Sequence, residues 1–304
     1  MTVASHIRLG YLISVSLLMV GGCEVQERKD VAAETATTVA ATKATPQATP
    51  PRTAAFRVPD ESEITDTAFL RSVRRGRALM VATRDSLPAH VGNALRCTSC
   101  HMNDGLKANA MPFVGVYAQF PQYRSRSGKV IEMEDRINDC FERSMNGRPL
   151  ARDGRDMIDI ISYMSFLSYG VPVGARVEGQ GIPRLQPMDG DSARGAQVYA
   201  QSCVVCHGAN GEGTAAAPPV WGPRSYNIAA GMARVRTAAA FIKQAMPFDR
   251  PGSLTDQQAF DVAAYVNSQS RPDYRGKEKD WPHGDPPPDV AYPTDAARRR
   301  AAAN

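Results

Sequence analysis

Apolar positions along the chain gather into separate groups, divided by polar, proline-rich and glycine-rich stretches. The first group is the apolar run Tyr11–Val20, preceded by the single basic residue Arg8. It is too short to span a bilayer and has the form of an export segment. From Glu24 to about Pro59 the chain is Ala, Thr and Pro with scattered charges, a composition that cannot bury enough apolar surface to fold. Phe69, Val73, Leu79 and Met80 then return near one side of a helix. A second helical stripe holds Met157, Ile160, Ile161, Met164 and Leu167 at i, i+3, i+4, i+7 and i+10 spacing, where methionine is core filling. Gly170–Gln186 has no periodicity and reads as a linker. The last stripe opens on a capping box, Thr255 with Gln258, presents Phe260, Ala263, Ala264 and Val266, and stops at Pro272. The expected organisation is an export segment (1–22), a disordered linker (23–60), a helical domain (61–172), an interdomain linker (173–189), a second helical domain (190–273) and an irregular tail (274–304).

Composition sharpens this picture. Hydrophobic residues make up 43% of the chain but aromatics only 7%, so small helical domains need another large apolar body in their cores. The formal charge of +5 comes with no dense basic stripe interleaved with aromatics, which excludes a nucleic-acid binder. The Ala/Arg-rich end, Ala296–Ala303, reads as a frayed tail. Val20-Gly21-Gly22-Cys23 resembles the lipobox of bacterial lipoproteins, in which the cysteine is acylated. The expectation is a bacterial periplasmic protein, lipid-anchored through Cys23, with membrane contact only through that anchor. A flexible segment of about 30 residues would lift the body roughly 30 Å from the surface.

The cysteines carry the chemistry. Cys97-x-x-Cys100-His101 and Cys203-x-x-Cys206-His207 are two complete haem-attachment motifs about one domain length apart. Two thiols at i and i+3 form thioethers to one haem, and the adjacent histidine offers a nitrogen to its iron. A zinc half-site does not require the histidine, and a thioredoxin-like pair needs a βαβ setting that is missing. Two covalent haem c groups follow, in an all-α tandem of two cytochrome c-type domains with irregular loops and an extended C-terminal strap. Gly195 and Tyr199 resemble the small-and-aromatic contact between the first and last helices of such domains. For the second haem, Met246 in a Met-Pro loop is the expected distal ligand, with Met232 as competitor. For the first, Met102 lies beside the proximal histidine and on the wrong side of the iron. Met111 follows too closely to reach around the haem and reads as pocket lining. Cys140 is left over. It is either a buried structural thiol or the counterpart of Met246, since it follows its motif at the same interval and has Arg136, Arg143 and Arg148 nearby.

Asn93–His101, Phe120-Pro-Gln-Tyr-Arg-Ser-Arg126 and the block Arg136–Gly147 look like tetrathionate-forming thiosulfate dehydrogenases. Pro218–Asn227, Gly231-Met-Ala-Arg and Ala245-Met-Pro agree. The resemblance implies that two thiosulfates couple to tetrathionate at the first haem, with axial His101 and Cys140. It implies that Arg126, Arg136 and Ser144 line the substrate pocket. The second haem, held by His207 and Met246, passes electrons to an external acceptor such as a small cytochrome c or a high-potential iron-sulfur protein. Some relatives have Lys or Asn where this chain has Ala245, which argues against a Lys/Met ligand exchange here.

The residues give this reading a physical logic. Thiosulfate is a dianion, and bringing two together requires positive compensation that arginine supplies in bidentate form. Arg124, Arg126, Lys129, Arg136 and Arg143 all fall between the first motif and Ser144. The rival reading is a diheme electron carrier with no substrate of its own, with His/Met ligation in both halves. A related enzyme acting on carrier-bound thiosulfate, or running as a tetrathionate reductase, is the other.

Overall fold

The structure is a computed structural model describing residues 53–303. The export segment, the Cys23 anchor and most of the expected linker lie outside the described residues. Each half is built on one crossing of two helices. In the first half α1 (Thr67–Val81) packs on α3 (Arg155–Phe166), and α2 (Met133–Asp139) lies between them in sequence. In the second half α4 (Ser192–Ser202) packs on α6 (Asp256–Ser268), which is also covered by α5 (Val235–Ala245).

The two crossings use the same device. Gly76 on α1 lies against the backbone of Asp159, where an added Cβ would sit 1.9 Å from the carbonyl oxygen. Gly195 on α4 meets Asp261 in the same way at 2.0 Å. Both aspartates are buried on the closing helix and held by arginines, Asp159 by Arg75 and Arg155 and Asp261 by Arg194. Burial alone would push these carboxyls up. Hydrogen bonds outweigh it and hold both below the ordinary value: Ser72, Arg75 and Arg155 for Asp159, Arg194, Asp191 and Gln257 for Asp261. Gly76→Val should therefore destabilise the holoprotein by about 3 kcal/mol through overpacking. A thermal melt unchanged from the parent protein would count against the crossing as the main helix contact.

The predicted stripes are the observed core. Val73, Leu79 and Met80 of α1 meet Met157, Ile160, Met164 and Leu167, and the Thr255–Gln258 capping box is formed. Met157 is fully buried in the apolar core. The halves are not separate globules, however. Tyr226, Ala230 and Ala233, from the second half, belong to the buried cluster of the first.

Two expectations of irregular chain are corrected. Residues 53–60, placed in the disordered linker, are ordered: Thr53–Ala54 pairs in parallel with Arg176–Val177, and Asp60 caps the turn Glu61–Glu63. The tail ends in helix α7 (Asp295–Ala303) and does not fray. Buried Thr294 accepts from Ala297 N at 3.2 Å, Asp295 suits the positive helix start, and alanine and arginine are strong helix formers. The strap itself is docked inward, with Trp281 and Tyr292 buried around Ala229. No helix among the described residues is long and apolar enough to cross a membrane.

Candidate functional site

The first motif enters as a short turn, Cys97–Ser99, whose cysteine nitrogen donates to buried Thr83 Oγ1 at 3.1 Å. Thr83 Oγ1 also lies 3.3 Å from Cys97 Sγ. Among the described residues the five cysteines are all free of disulfides, which leaves both motif pairs open to a haem's vinyl groups.

His101 is oriented from both sides. Its ring stacks on Phe113 with centroids 4.2 Å apart, and its Nδ1 lies 2.6 Å from the carbonyl oxygen of Met111. Burial lowers its pKa to about 4, so the imidazole is neutral. A proton on Nδ1, donated to that carbonyl, leaves the Nε2 lone pair for a metal. Met111 thus contributes its backbone, with φ of 55° and its own nitrogen donating to Gly181 O at 2.9 Å. The expected linker is what secures it. In the second motif His207 Nδ1 lies 2.8 Å from Pro218 O, and burial again lowers the imidazole's pKa.

A cavity of ≈ 1240 Å³ is lined by Cys203, Cys206, His207 and Met246, and Thr98 and Cys100 of the first motif stand on its wall. Met232 lines it as well; both methionines pack against the apolar cluster around Phe241, and Met232 also against that around Phe260. Met246 caps α5 in extended backbone just before Pro247. The fit to a haem has a polar side too. Arg271 lies over the ring of Tyr226, another wall residue, and its Nε and Nη1 are buried with no partner among the described residues. A haem's carboxylates are the acceptors such donors lack. When bound, the haems supply one-electron redox chemistry.

Cys140 sits at the end of α2, where the helix widens into the five-residue turn Cys140–Ser144 closed by Met145 N donating to Cys140 O at 2.9 Å. Such π-type turns concentrate at functional sites because they redirect one side chain from the helical register. Arg136, one turn earlier, donates from Nη1 to Cys140 Sγ at 2.9 Å. Interaction with that sulfur holds the arginine's pKa up against the effect of burial. Ser144 Oγ makes no hydrogen bond among the described residues, so it is free to meet an anion.

The arginines divide into two sets. Arg143 is spent: Nη1 and Nη2 donate to Asp280 at 2.8 and 2.9 Å, Nε faces Asp139 at 3.3 Å, and the guanidinium covers Tyr274. Arg148 turns outward to the carbonyl of Ala89. Arg126 is different, with no carboxylate partner among the described residues. It donates to Ala229 O at 2.8 Å and lies over Trp281. Burial, and then the charge of Arg143, lowers its pKa to about 10, which marks a cation short of an anion. Arg124 and Arg126 are positioned by a hairpin that periodicity did not reveal, Gln122–Arg124 paired with Lys129–Ile131. Its signal was the Ser-Gly turn, since Gly128 has φ of 66°. Lys129 is exposed at the start of the second strand.

One functional candidate escaped sequence reasoning. Arg234, at the start of α5, adds its charge to both Arg124 and Arg126, and its Nε is buried with no partner among the described residues. It comes from the second half, so no local charge run pointed to it.

Residues 89–173 match the family model described as SoxA/TsdA, cytochrome c domain. Residues 190–266 match that of cytochrome C oxidase, cbb3-type, subunit III. The chain is 46% identical over 261 residues to a thiosulfate dehydrogenase of Allochromatium vinosum, covering 81% of this chain and 97% of that one. It is 44% identical over 241 residues to the thiosulfate dehydrogenase of Psychrobacter arcticus, covering 77% and 74%. The solved structure of thiosulfate dehydrogenase TsdBA from Marichromatium purpuratum matches with a TM-score of 0.68 at 39% identity. That match covers 71% of this chain and 50% of that chain, so this chain spans half its length. Two complete haem motifs, each with a carbonyl-held histidine in its own helix crossing, therefore sit in a chain that belongs to the diheme thiosulfate dehydrogenase family and carries two covalent haem c groups.

Proposed function

We propose that this protein oxidises two thiosulfate dianions to one tetrathionate dianion at the first haem, and that two electrons leave through the second haem to an external carrier. The observation that carries this reading is the pairing of Cys140 Sγ with Arg136 at 2.9 Å, beside Arg126 and Arg234, which have no carboxylate partner among the described residues, whereas Arg143 is bound to Asp280. In the balanced reaction one sulfur–sulfur bond forms between the outer sulfur atoms, none breaks, and two electrons are released. Arg126, Arg136 and Arg234 offset the repulsion between the incoming anions, and Ser144 Oγ offers a further donor. His101 and Cys140 would hold the iron of the first haem, and His207 and Met246 that of the second. Cys140 would act either as a ligand that substrate displaces or as a thiolate that forms a sulfur–sulfur bond to one thiosulfate with release of two electrons to the haems, a second thiosulfate then breaking that bond to form tetrathionate and free the thiolate.

The electron exit is supported by the surface around the second motif. Val205, between its cysteines, and Phe248, just after Met246-Pro247, line the haem cavity and stand at its open edge. An edge of this kind suits a small cytochrome c or a high-potential iron-sulfur protein. Export to the periplasm and a lipid anchor on Cys23 belong to the same reading. Labelling with radioactive palmitate that persists in a Cys23→Ala variant would overturn the anchor.

The direct test is anaerobic addition of thiosulfate to the oxidised holoprotein, following haem absorbance and tetrathionate. Reduction of haem with tetrathionate formation is expected, and neither signal would leave only a carrier. Arg234→Ala should raise KM for thiosulfate about tenfold to a hundredfold with a smaller change in kcat, the value of one or two charge-assisted hydrogen bonds. An unaltered KM would remove Arg234 from the anion site.

A further inference from the structure

We infer that Asn227, contributed by the second half of the chain, is a positioning residue for Cys140. The inference rests on the reading of Cys140 as a haem ligand. A helix end leaves its last carbonyls without helical partners, and buried carbonyls must find donors elsewhere. In the turn that carries Cys140, four successive carbonyls are each claimed by a donor from outside. Glu142 O accepts from Asn227 Nδ2 at 2.9 Å, and Arg143 O accepts from Asn227 N at 3.2 Å. Ser144 O accepts from Asn93 Nδ2 at 2.9 Å, and Met145 O accepts from Gly92 N at 2.9 Å.

The two asparagines are themselves locked. Asn227 is fully buried; its Nδ2 also donates to Asn146 Oδ1 at 3.2 Å, and its Oδ1 accepts from Ala229 N at 3.1 Å. Asn93 Nδ2 also donates to Ser225 O at 3.0 Å, and its Oδ1 accepts from Leu95 N at 3.0 Å. Ala94 N reaches Arg224 O at 3.0 Å. The grip is close: a Cβ on Gly92 would lie 2.0 Å from Asn146 O, and one on Gly147 would lie 1.9 Å from His90 O. One side of the turn is thus fixed by the segment that runs into Cys97, the other by a segment of the second half.

A covalent helix sets only the approximate height of Cys140. These four bonds fix the widened turn against the segment that leads to His101, and so set how firmly the sulfur can be held on the first haem and how readily it can leave. Asn227 acts through the carbonyls of the turn.

The test uses holoenzyme carrying Asn227→Ala beside Cys140→Gly and a control, Thr294→Ala, which removes a buried cap in the tail. Asn227→Ala should lose part of the thiolate-ligation signature of the first haem in electron paramagnetic resonance. It should also raise that haem's potential, lower kcat about tenfold to a hundredfold and leave KM and the second haem's spectrum nearly unchanged. The control should lower the melting temperature alone. An Asn227→Ala protein that behaves like the control overturns the inference while the ligand reading stands. An unaltered first-haem spectrum in Cys140→Gly overturns the ligand reading and the inference with it. If Asn227→Ala does not fold, Asn93→Ala removes the bond to Ser144 O together with the link to Ser225 O and is judged by the same outcomes.

Discussion

Replacing Cys140 by glycine should cut thiosulfate oxidation by about a thousandfold or more while both haems stay covalently attached. The four thioether cysteines are elsewhere, so loss of haem is not the expected cause of failure. Two losses coincide in this variant. The sulfur that Arg136 Nη1 meets at 2.9 Å disappears, and the buried guanidinium loses the interaction that holds its pKa up. An unpaired cation in that position draws an anion more strongly, so substrate binding should survive better than turnover. The measurement is a steady-state pair, kcat and KM, with the optical and paramagnetic spectra of the oxidised protein. A variant that keeps its turnover would return Cys140 to the rank of a structural thiol and move the chemical step to the other groups of the site. A kcat lost with KM largely retained would place the cysteine in the chemical step.

How legible this site was depends on the distance over which each signal acts. The haem motifs are local, because thioethers at i and i+3 with the next histidine need no tertiary context. The helix stripes were equally plain, and Met157, Ile160 and Met164 fill the core they predicted. Cys140 could be noticed from cysteine counting and Arg136 from helical spacing, since four residues along a helix bring side chains together. Arg143 shows where that logic fails. In sequence it belongs to the basic run, but Asp280, far along the chain, takes its two terminal nitrogens. Arg234 and Asn227 show the converse: both lie in segments the family resemblance covers, yet no local pattern says what a side chain of the second half does in the first. The helical tail was misread for a different reason. Alanine and arginine form both good helices and solvated ends, and only docking, with Ala296 and Thr294 buried, decides between them.

Removing the carboxylate of Asp280 should cost about 3–5 kcal/mol of stability, because it strands a buried cation. Arg143 and Asp280 are both largely sealed from solvent, with side-chain exposures of 12% and 6%, and the paired geometry is bidentate. Tyr292 also donates to Asp280 at 2.7 Å, so the carboxylate ties the strap, the Cys140 helix and the tail together. Burial and then this neighbouring carboxylate push the tyrosine's pKa well up, which keeps it a donor. In Asp280→Ala, Arg143 would stand charged beside Arg126 with only Asp139 at 3.3 Å to compensate. The strap should loosen, and Trp281 should leave its place beneath the Arg126 guanidinium. A double variant, Arg143→Met with Asp280→Leu, removes both charges and replaces them with apolar volume, and it should recover most of the lost melting temperature. Its activity then decides the role of Arg143. Turnover and KM near those of the parent protein would confirm a structural cation, as its fully engaged donors require. A large rise in KM in the thermally restored double variant would instead place Arg143 among the groups that bind thiosulfate.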